Sequence, residues 1–459
     1  MLRFIDREQE LEFLNGRYKA RGFEFIVLYG RRRVGKTELV HQFVQDKPHL
    51  YFLADRRGVP RNALRLRRDM ALFLKEPEIA ATELDQIFGW FMDRIKGRPV
   101  IIIDEFPYLV DKDKSIPSVL QLIIDGDLKD RNLMLILCGS SVSMMERSVL
   151  GSKSPLYGRK TGHWKVLPFS FIESARFFPK NPISRSVEFY SVLGGVPFYL
   201  EKFTERKPTL DNIEEEILKR SGHLYEEIDF LLKEELREPD MYKAILEAIG
   251  SGRGRTSEIS DVTQIAVNTL DPYLKVLMRL GIISKITPVT DGKRSKRSRY
   301  VISDPLFRFW FTFAEPFKSD LELGRTDRCR AVVQAQLPSF VGKAFEGICT
   351  EFLTRQFPGR WPRMGPWWGV RRVEGQRIVE EIDVVGLNDS TKEAIFAECK
   401  WKDGVDPDAI LRRLEEKAGL VDWNTRTRKG LFAIFAKSFK RKVQRPDVLL
   451  YDLESLNHK

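Results

Sequence analysis

Residues that bind metals through sulfur or imidazole are scarce in this sequence. Its 459 residues include only four cysteines and five histidines, and the cysteines (Cys138, Cys329, Cys349 and Cys399) are far apart, with no C-x-x-C pair. A zinc site needs several such ligands close together, and a disulfide framework needs paired cysteines. The sequence therefore argues against both and predicts reduced, buried thiols.

Long apolar runs are also missing. No stretch approaches the ~20 apolar residues that a membrane-spanning helix needs. The first residues, MLRFIDREQELEFL, are too charged for a signal peptide. We therefore expect a cytoplasmic protein that does not contact a membrane.

Positive charge, in contrast, is in excess. The 77 Lys and Arg residues outnumber the 65 Asp and Glu residues, so the formal net charge is +12. This excess favours an anionic partner, most simply nucleic acid. A generic basic surface is the alternative.

The segment GRRRVGKT at residues 30–37 matches the pattern G-x-x-x-x-G-K-[ST]. It follows the apolar run FEFIVLY (23–29), a predicted strand, and precedes ELVHQFV (38–44), a predicted helix. In this order, backbone N–H groups and the helix N-terminus form a concavity that binds phosphate. Lys36 is expected to reach the β- and γ-phosphates, and the Thr37 hydroxyl to bind Mg²⁺. The predicted nucleotide-binding residues here are Gly30, Arg31, Arg32, Arg33, Val34, Gly35, Lys36, Thr37 and Glu38.

The three consecutive arginines allow several interpretations. They could add charge around the phosphates, contact an adjacent domain, or lie exposed to solvent in the loop. We assign them no catalytic role.

A second element, PVIIIDE at residues 99–105, is an apolar strand that ends in two carboxylates. Asp104 is expected to hold Mg²⁺ through water, and Glu105 to orient and deprotonate the attacking water. Paired acids after a strand also serve as helix N-caps, but the phosphate loop upstream favours the nucleotide role. Further strands are predicted in HLYFLAD (49–55), LMLILCGSS (133–141) and HWKVLPF (163–169). Ser140, at the end of the fourth strand, is placed to sense the γ-phosphate.

Residues 1–235 resemble archaeal-type P-loop ATPases of the AAA+/STAND group. The resemblance rests on FIDREQELEFL, GRRRVGKT, IIIDEFPYL, ILCGSSVSMM, LYGRKTG before LPFSF, and LGGVPFYL. It implies an α/β domain with a parallel sheet in the order 5-1-4-3-2, hydrolysis of ATP, and Ser140 as the sensor. It also implies that Arg159, in LYGRKTG, acts in trans within a homo-oligomer. A structural salt bridge is the alternative role for Arg159.

Residues 236–305 are predicted to form a winged helix-turn-helix. Helices are expected at 240–250, 256–265 and 268–280, with Pro272 in the first turn of the third, followed by a two-stranded basic hairpin. In such modules the third helix enters the major groove and the wing touches phosphates. Five of the seven residues 293–299 are Lys or Arg, which suits phosphate contact. Docking onto protein, or a plain solvated turn, is the alternative.

Residues 306–459 carry a set of carboxylates on a predicted helix and two strands. The helix spans 339–353 and includes Glu346, and strands at 379–387 and 394–401 carry Asp383, Glu398 and Lys400. The period of two puts Glu398 and Lys400 on one face, with Asp383 in reach. A helix at 407–420 and a strand at 431–436 follow.

This order, with its Glu…Asp…Glu-x-Lys set, resembles the α/β fold of the PD-(D/E)XK (restriction-endonuclease-like) nucleases, although Ile382 replaces the motif's proline. The resemblance implies metal-assisted phosphodiester hydrolysis. Asp383 and Glu398 would bind Mg²⁺, Glu346 would complete the site, and Lys400 would polarise the attacking water. The whole chain resembles archaeal ATPases with a DUF234 C-terminal region.

Three functions follow from these features. The first is an ATP-dependent DNA-processing enzyme with a Mg²⁺-dependent nuclease domain. Its predicted catalytic residues are Lys36, Glu105, Glu346, Asp383, Glu398 and Lys400. The second is a nucleotide-switched regulator or scaffold with an inactive nuclease-like domain. The third is a defence nuclease restrained by its own ATPase.

Overall fold

The computed structural model describes residues 4–292, 295–373 and 376–456. The chain divides into two compact units, which are described separately. Unit 1 comprises Met1–Pro168 with Val196–Phe198, and unit 2 comprises Phe169–Gly195 with Tyr199–Lys459. Within the described ranges, no helix combines the length and the apolar character that crossing a bilayer requires.

Unit 1 is built on a parallel five-stranded sheet. Its strands are β1 (Glu24–Tyr29), β2 (His49–Leu53), β3 (Val100–Asp104), β4 (Met134–Gly139) and β5 (Gly162–Lys165). They are arranged in the order β2-β3-β4-β1-β5, which confirms the expected 5-1-4-3-2 order read from the opposite edge. Every residue of β1, β3 and β4 is buried, because helices cover both faces of a parallel sheet.

The helices of unit 1 alternate with these strands. They are α1 (Glu8–Lys19), α2 (Lys36–Val44), α3 (Val59–Leu74), α4 (Leu84–Met92), α5 (Pro107–Lys112), α6 (Ile116–Ile123) and α7 (Val142–Met145). The last two continue as π-helical turns, Ile124–Leu128 and Glu146–Leu150. Leu14 of α1 and Phe43 of α2 pack with Ile26 and Ile136 of the sheet in one apolar cluster. Because these strands are parallel, the carboxyl ends of β1, β3 and β4 lie at one edge of the sheet, next to the start of α2.

Unit 2 begins with short helices and the three-helix segment that the sequence predicts. The helices are α8 (Phe171–Ala175), α9 (Ile183–Leu193), α10 (Pro197–Leu200), α11 (Thr209–Ile213), α12 (Glu227–Glu235), α13 (Pro239–Gly250), α14 (Thr256–Thr263) and α15 (Val267–Arg279), with a π-helical turn at Glu214–Leu218. The first two residues of α10 belong to unit 1. An antiparallel pair follows, β6 (Ile283–Ile286) with β7 (Arg299–Ile302). Lys293 and Arg294 of the basic loop lie outside the described residues.

The prediction that Pro272 lies in the first turn of the third helix is wrong. Helix α15 begins at Val267, so Pro272 is an interior residue. Proline has no N–H group, so the usual intrahelical bond to the carbonyl of Asn268 cannot form. The helix continues because Leu270 and Leu274 on its other side are buried.

The chain then forms α16 (Pro305–Phe309), a π-helical turn (Trp310–Ala314), a 3-10 turn (Glu315–Phe317), α17 (Lys318–Glu322) and α18 (Asp327–Gln356). Helix α18 is twice as long as the predicted segment 339–353, because the helix runs through Pro338.

The last part of unit 2 is a mixed five-stranded sheet. Its strands are β8 (Arg363–Val373), β9 (Gln376–Asn388), β10 (Glu393–Lys400), β11 (Lys429–Ala436) and β12 (Val448–Tyr451), in the order β12-β11-β10-β9-β8. The β8–β9 and β9–β10 pairs are antiparallel, and the β10–β11 and β11–β12 pairs are parallel. Ile395 and Ala397 of β10 pack with α18, whereas Phe396 packs with α19 (Pro407–Gly419). The two helices therefore cover opposite faces of this sheet.

Candidate functional site

The two glycines of the 30–37 segment are needed for different reasons. A Cβ atom at Gly30 would lie 2.3 Å from the carbonyl oxygen of Val166, just beyond β5, so the first glycine allows a close backbone approach. Gly35 has a φ of 88°, in the left-handed region that glycine adopts without strain, and it is the N-cap of α2. The predicted strand, loop and helix are therefore present in the required order.

Lys36, near the end of this loop, reaches back to its first residues. Its side chain is buried, and Nζ donates hydrogen bonds to the carbonyls of Gly30 (2.8 Å) and Arg31 (2.9 Å). Glu38 is exposed in the first turn of α2. The ammonium group thus lies inside the loop that is predicted to surround the phosphates.

Thr37 and Asp104 meet at the end of the sheet. The Thr37 hydroxyl donates to Asp104 Oδ2 at 3.0 Å, and the Glu105 backbone N–H donates to Oδ1 at 2.8 Å. The hydroxyl of Tyr51, on β2, also donates to Oδ2, at 2.7 Å. Burial and this hydrogen bond raise the pKa of Tyr51 well above its usual value. A hydroxyl and a carboxylate at this spacing are oxygen ligands of the kind that Mg²⁺ prefers.

Glu105 and Ser140 are brought together as well. Ser140 Oγ donates to Glu105 Oε2 at 2.7 Å. Glu105 has a φ of 53°, which is unfavourable for a residue with a side chain. Strained backbone of this kind concentrates at functional sites. The predicted water-activating carboxylate and the predicted sensor are therefore in direct contact.

The arginine triplet is largely packed rather than freely exposed. Arg31 is buried, with 9% of its surface exposed. Arg32 Nη2 donates to the hydroxyl of Tyr108 at 2.6 Å, and the guanidinium of Arg33 stacks 4.0 Å from the ring centre of Phe198. Solvent exposure of all three arginines, one of the open interpretations, does not describe the loop.

Arg7 is a loop-positioning residue that sequence reasoning missed. Its Nη2 donates to the carbonyl of Val34 at 2.7 Å, and its Nη1 donates to the carbonyl of Leu167 and to Glu10, both at 2.9 Å. The side chain is buried. Arg7 therefore fixes the middle of the phosphate loop from the start of the chain, 27 residues away. The only sequence signal was its place in the FIDREQELEFL segment.

Arg159 forms the structural ion pair that was one of its two alternatives. Its Nε and Nη2 donate to Asp125 at 2.9 and 2.7 Å, and Nη1 donates to the carbonyl of Pro155 at 2.8 Å. The hydrogen bond from Arg159 lowers the pKa of Asp125. The trans-acting role stays a prediction.

In unit 2, Glu346 and Asp383 line one cavity of about 670 Å³. Lys343 Nζ donates to Glu346 at 2.6 Å, and the Cys399 backbone N–H donates to Asp383 Oδ2 at 2.8 Å. Burial raises the pKa of Glu346 to about 7, and the charge of Asp383 adds to this rise. Burial and the charge of Glu398 raise the pKa of Asp383. Both carboxylates are therefore poorly compensated for their burial.

Glu398 faces a different environment from Glu346. It accepts hydrogen bonds from Lys400 at 2.8 Å, which agrees with the predicted shared face, and from Lys417 of α19 at 3.0 Å. Glu346 belongs to α18, on the other face of the sheet. Lys417 was missed because its approach depends on how α19 packs.

The described residues do not include a group of three or more His, Cys, Asp or Glu side chains close enough to hold a metal ion. The predicted ligands Glu346, Asp383 and Glu398 therefore do not form one cluster. Asp383 lies between the other two, since it interacts electrostatically with each of them. All four cysteines are buried and free of disulfide bonds, as expected.

The predicted hairpin packs against the C-terminal sheet. The Val289 N–H donates to the carbonyl of Pro366 at 3.0 Å, and Arg297 Nη1 donates to that of Trp368 at 3.0 Å. Arg299 pairs with Glu381 at 3.2 Å and stacks 4.3 Å from the ring centre of Trp368. Of the basic residues at 293–299 that the structure describes, Arg297 and Arg299 therefore bind protein groups.

Comparison with known proteins gives family matches in both parts of the chain. An ATPase domain found predominantly in Archaea matches residues 4–203, and DUF234, described as "Archaea bacterial proteins of unknown function", matches residues 310–417. An uncharacterized protein of Methanocaldococcus jannaschii is 38% identical over 461 residues, 99% of this chain and 100% of that protein. An uncharacterized ATP-binding protein of the same organism is 48% identical over 44 residues, 10% of this chain and 75% of that protein. The structure of a Walker-type ATPase from Pyrococcus abyssi shares the fold, with a TM-score of 0.50 and 22% identity over 67% of this chain and 96% of that one.

Proposed function

Since the chain belongs to the archaeal ATPase family that combines an ATPase domain with a DUF234 region, we propose that it binds and hydrolyses ATP with Mg²⁺ and uses this activity to process nucleic acid, most simply DNA. The observation that carries the ATPase part is the contact of Thr37 with Asp104 beside the contact of Ser140 with Glu105. A metal-binding pair and a water-activating pair adjoin the phosphate loop.

Each residue of this site has a proposed task. Lys36 and the loop N–H groups bind the phosphates, and Thr37 and Asp104 hold Mg²⁺, which supplies charge to stabilise phosphoryl transfer. Glu105 accepts a proton from the attacking water, and Ser140 orients that carboxylate. Arg7 and Tyr51 keep the loop and Asp104 in place. Lys36→Ala is expected to abolish ATP binding, whereas substitution of Glu105 by Gln should retain binding and abolish hydrolysis.

We further propose metal-dependent phosphodiester cleavage in unit 2. The order α18, β8, β9, β10, α19, β11, with Asp383 on β9 and Glu398-x-Lys400 on β10, supports this proposal. Carboxylate oxygens are suitable ligands for Mg²⁺, and a cation would offset the unfavourable burial of Glu346 and Asp383. When bound, the metal would activate water and stabilise the charge of the transition state.

DNA contact by residues 236–305, as a winged helix-turn-helix, is part of the same proposal. The start of α15, where Asn268 and Thr269 are exposed, is the segment that would enter the major groove. We likewise propose that the domains meet near residues 235 and 305 and that the protein assembles as a homo-oligomer.

A second function is favoured by one observation. Glu398 is neutralised by Lys400 and Lys417, and the described carboxylates form no cluster of three. An ATP-switched regulator with an inactive nuclease-like domain would have this arrangement. For such a regulator, ATP binding should change the oligomeric state, and Lys36→Ala should remove this change. Sedimentation with and without ATP measures it.

The deciding experiment is cleavage of labelled linear and circular DNA, with Mg²⁺ or Mn²⁺ and with or without ATP. Asp383→Asn removes the central carboxylate charge, and Asp422→Asn, at an exposed position, is the matched control. The nuclease proposal expects metal-dependent cutting that only Asp383→Asn abolishes. Equal cutting by the two variants, or none by the wild type, rejects it and favours the regulator.

A further inference from the structure

One arginine of unit 2 is half-buried and has two buried donor nitrogens without a hydrogen-bond partner among the described residues. Arg308 of α16 lines the cavity that contains Glu346 and Asp383. Its Nε and Nη2 atoms are buried and donate to no protein acceptor within the described ranges of the chain. Its guanidinium lies 4.3 Å from the ring centre of Phe340. Burial lowers the pKa of Arg308 to about 10.

This arrangement is costly for the protein on its own. A buried N–H group without an acceptor loses its hydrogen bonds to water and gains nothing in return, and the cost is higher for a charged group. Most buried polar groups in native proteins are satisfied, so each exception calls for an explanation. An acceptor brought by a ligand would supply what the protein lacks, and the planar guanidinium fits the paired oxygens of a phosphate.

The other groups in the cavity suit a nucleotide. Lys343 and Arg299, which pair with Glu346 and Glu381, line the cavity, as do the rings of Trp367 and Trp368. Single-stranded nucleic acid is bound by this combination of cations and stacking rings. The volume of about 670 Å³ falls in the range of small-molecule sites, roughly 300–1,000 Å³, which suits an unpaired nucleotide rather than a duplex.

We propose that Arg308 binds a phosphate group of single-stranded nucleic acid and that the cavity receives an unpaired nucleotide, next to Glu346 and Asp383. This inference rests on the proposed function in nucleic-acid processing and names its substrate class. Arg308 holds the phosphate through Nε and Nη2, and this leaves the phosphodiester beside the two carboxylates. Duplex substrates enter only where an end or an unpaired stretch is available.

The test is equilibrium binding of a short fluorescein-labelled oligothymidylate to the full-length protein, followed by fluorescence anisotropy. EDTA is present so that cleavage cannot occur, and about 0.2 M salt weakens non-specific phosphate contacts. Arg308→Met removes the donors and keeps much of the volume. Arg308→Lys keeps the charge but not the paired geometry, and Arg412→Gln, at an exposed position of α19, is the matched control.

The proposal expects Arg308→Met to weaken single-strand binding by roughly tenfold or more, as for loss of hydrogen bonds to a charged group. Arg308→Lys should weaken it less, and Arg412→Gln should change it by less than about twofold. The melting temperature of ligand-free Arg308→Met should equal or exceed that of the wild type, because two buried donors without acceptors are gone. An arginine with a merely structural role would show a fall.

Wild-type binding by both Arg308 variants would overturn the proposal, as would a duplex that binds as tightly as the single strand. This binding assay and the cleavage assay described above together separate this inference from the nuclease proposal. Binding that depends on Arg308 without any cleavage by the wild type rejects only the nuclease, whereas cleavage that depends on Asp383 with binding indifferent to Arg308 rejects only this inference.

Discussion

Replacement of Gly30 by alanine is the sharpest test of how the phosphate loop is built. The added Cβ would lie 2.3 Å from the Val166 carbonyl oxygen, and real Cβ atoms essentially never come within 3.0 Å of such an atom. The backbone must therefore move by at least about 0.7 Å. The Val166 N–H donates to the carbonyl of Tyr29 at 2.8 Å, so the movement strains the junction of β1 and β5.

The expected cost combines two effects. Overpacking in a close-packed region costs about 1–3 kcal/mol, and one weakened backbone hydrogen bond costs about 0.5–1.5 kcal/mol. We expect Gly30→Ala to lower the local free energy of opening by roughly 2–4 kcal/mol and to weaken ATP binding. Hydrogen exchange followed by mass spectrometry on peptides covering β1 and β5 measures this locally, independently of unit 2.

Gly16→Ala is the matched control. A Cβ at Gly16 meets nothing within 4 Å, and the residue lies inside α1. Alanine there should stabilise the helix by about 0.5–1 kcal/mol. If Gly30→Ala exchanges like the wild type and binds ATP normally, the close approach is not what requires this glycine, and the reasoning fails.

Three further predictions concern single side chains. Ser140→Ala should slow ATP hydrolysis by about tenfold or more while nucleotide affinity is retained, because Glu105 loses its orienting hydrogen bond; an unchanged rate of phosphate release would contradict this. Arg7→Met should weaken ATP binding by about tenfold in calorimetry, since the carbonyl of Val34 loses a charged donor; wild-type affinity would show that the loop holds its shape alone. Pro272→Ala should raise the free energy of unfolding of unit 2 by about 1 kcal/mol or more, since a helical hydrogen bond is restored; a lower urea midpoint would refute it.

Local pattern was enough to predict the sheet of unit 1. Its central strands are buried on both faces, so each appears in the sequence as a continuous apolar run bounded by polar or glycine residues. The phosphate loop and the acidic strand end have fixed local patterns as well. The strand order, in contrast, came from the family resemblance, because periodicity does not specify which strands pair.

Contacts between distant residues account for what was missed at the nucleotide site. Tyr51 reaches Asp104 across 53 residues, and Arg7 reaches Val34 across 27. Neither residue has a motif of its own, and each acquires its role only when the parallel strands place β2 beside β3 and α1 beside the loop. A sequence pattern carries information about neighbours along the chain, not about these approaches.

At the C-terminal site, the sequence predicts which side chains share a face of the sheet but not which helix covers that face. The period of two correctly placed Glu398 and Lys400 together. It carried no information on which helix covers that face, so the second cation at Glu398, Lys417, was not foreseen. The expected carboxylate cluster divides for the same reason, since Glu346 comes from the helix on the opposite face.

The stacking of Arg33 on Phe198 has a consequence for synthesis of the protein. The last strand of unit 1 ends at Lys165, yet Pro197 and Phe198, which lie against Gly35 and Arg33, are made about thirty residues later. Domains fold as their residues leave the ribosome, from the N-terminal end onward. The sheet can therefore assemble on the nascent chain before the phosphate loop gains its contacts with Pro197 and Phe198.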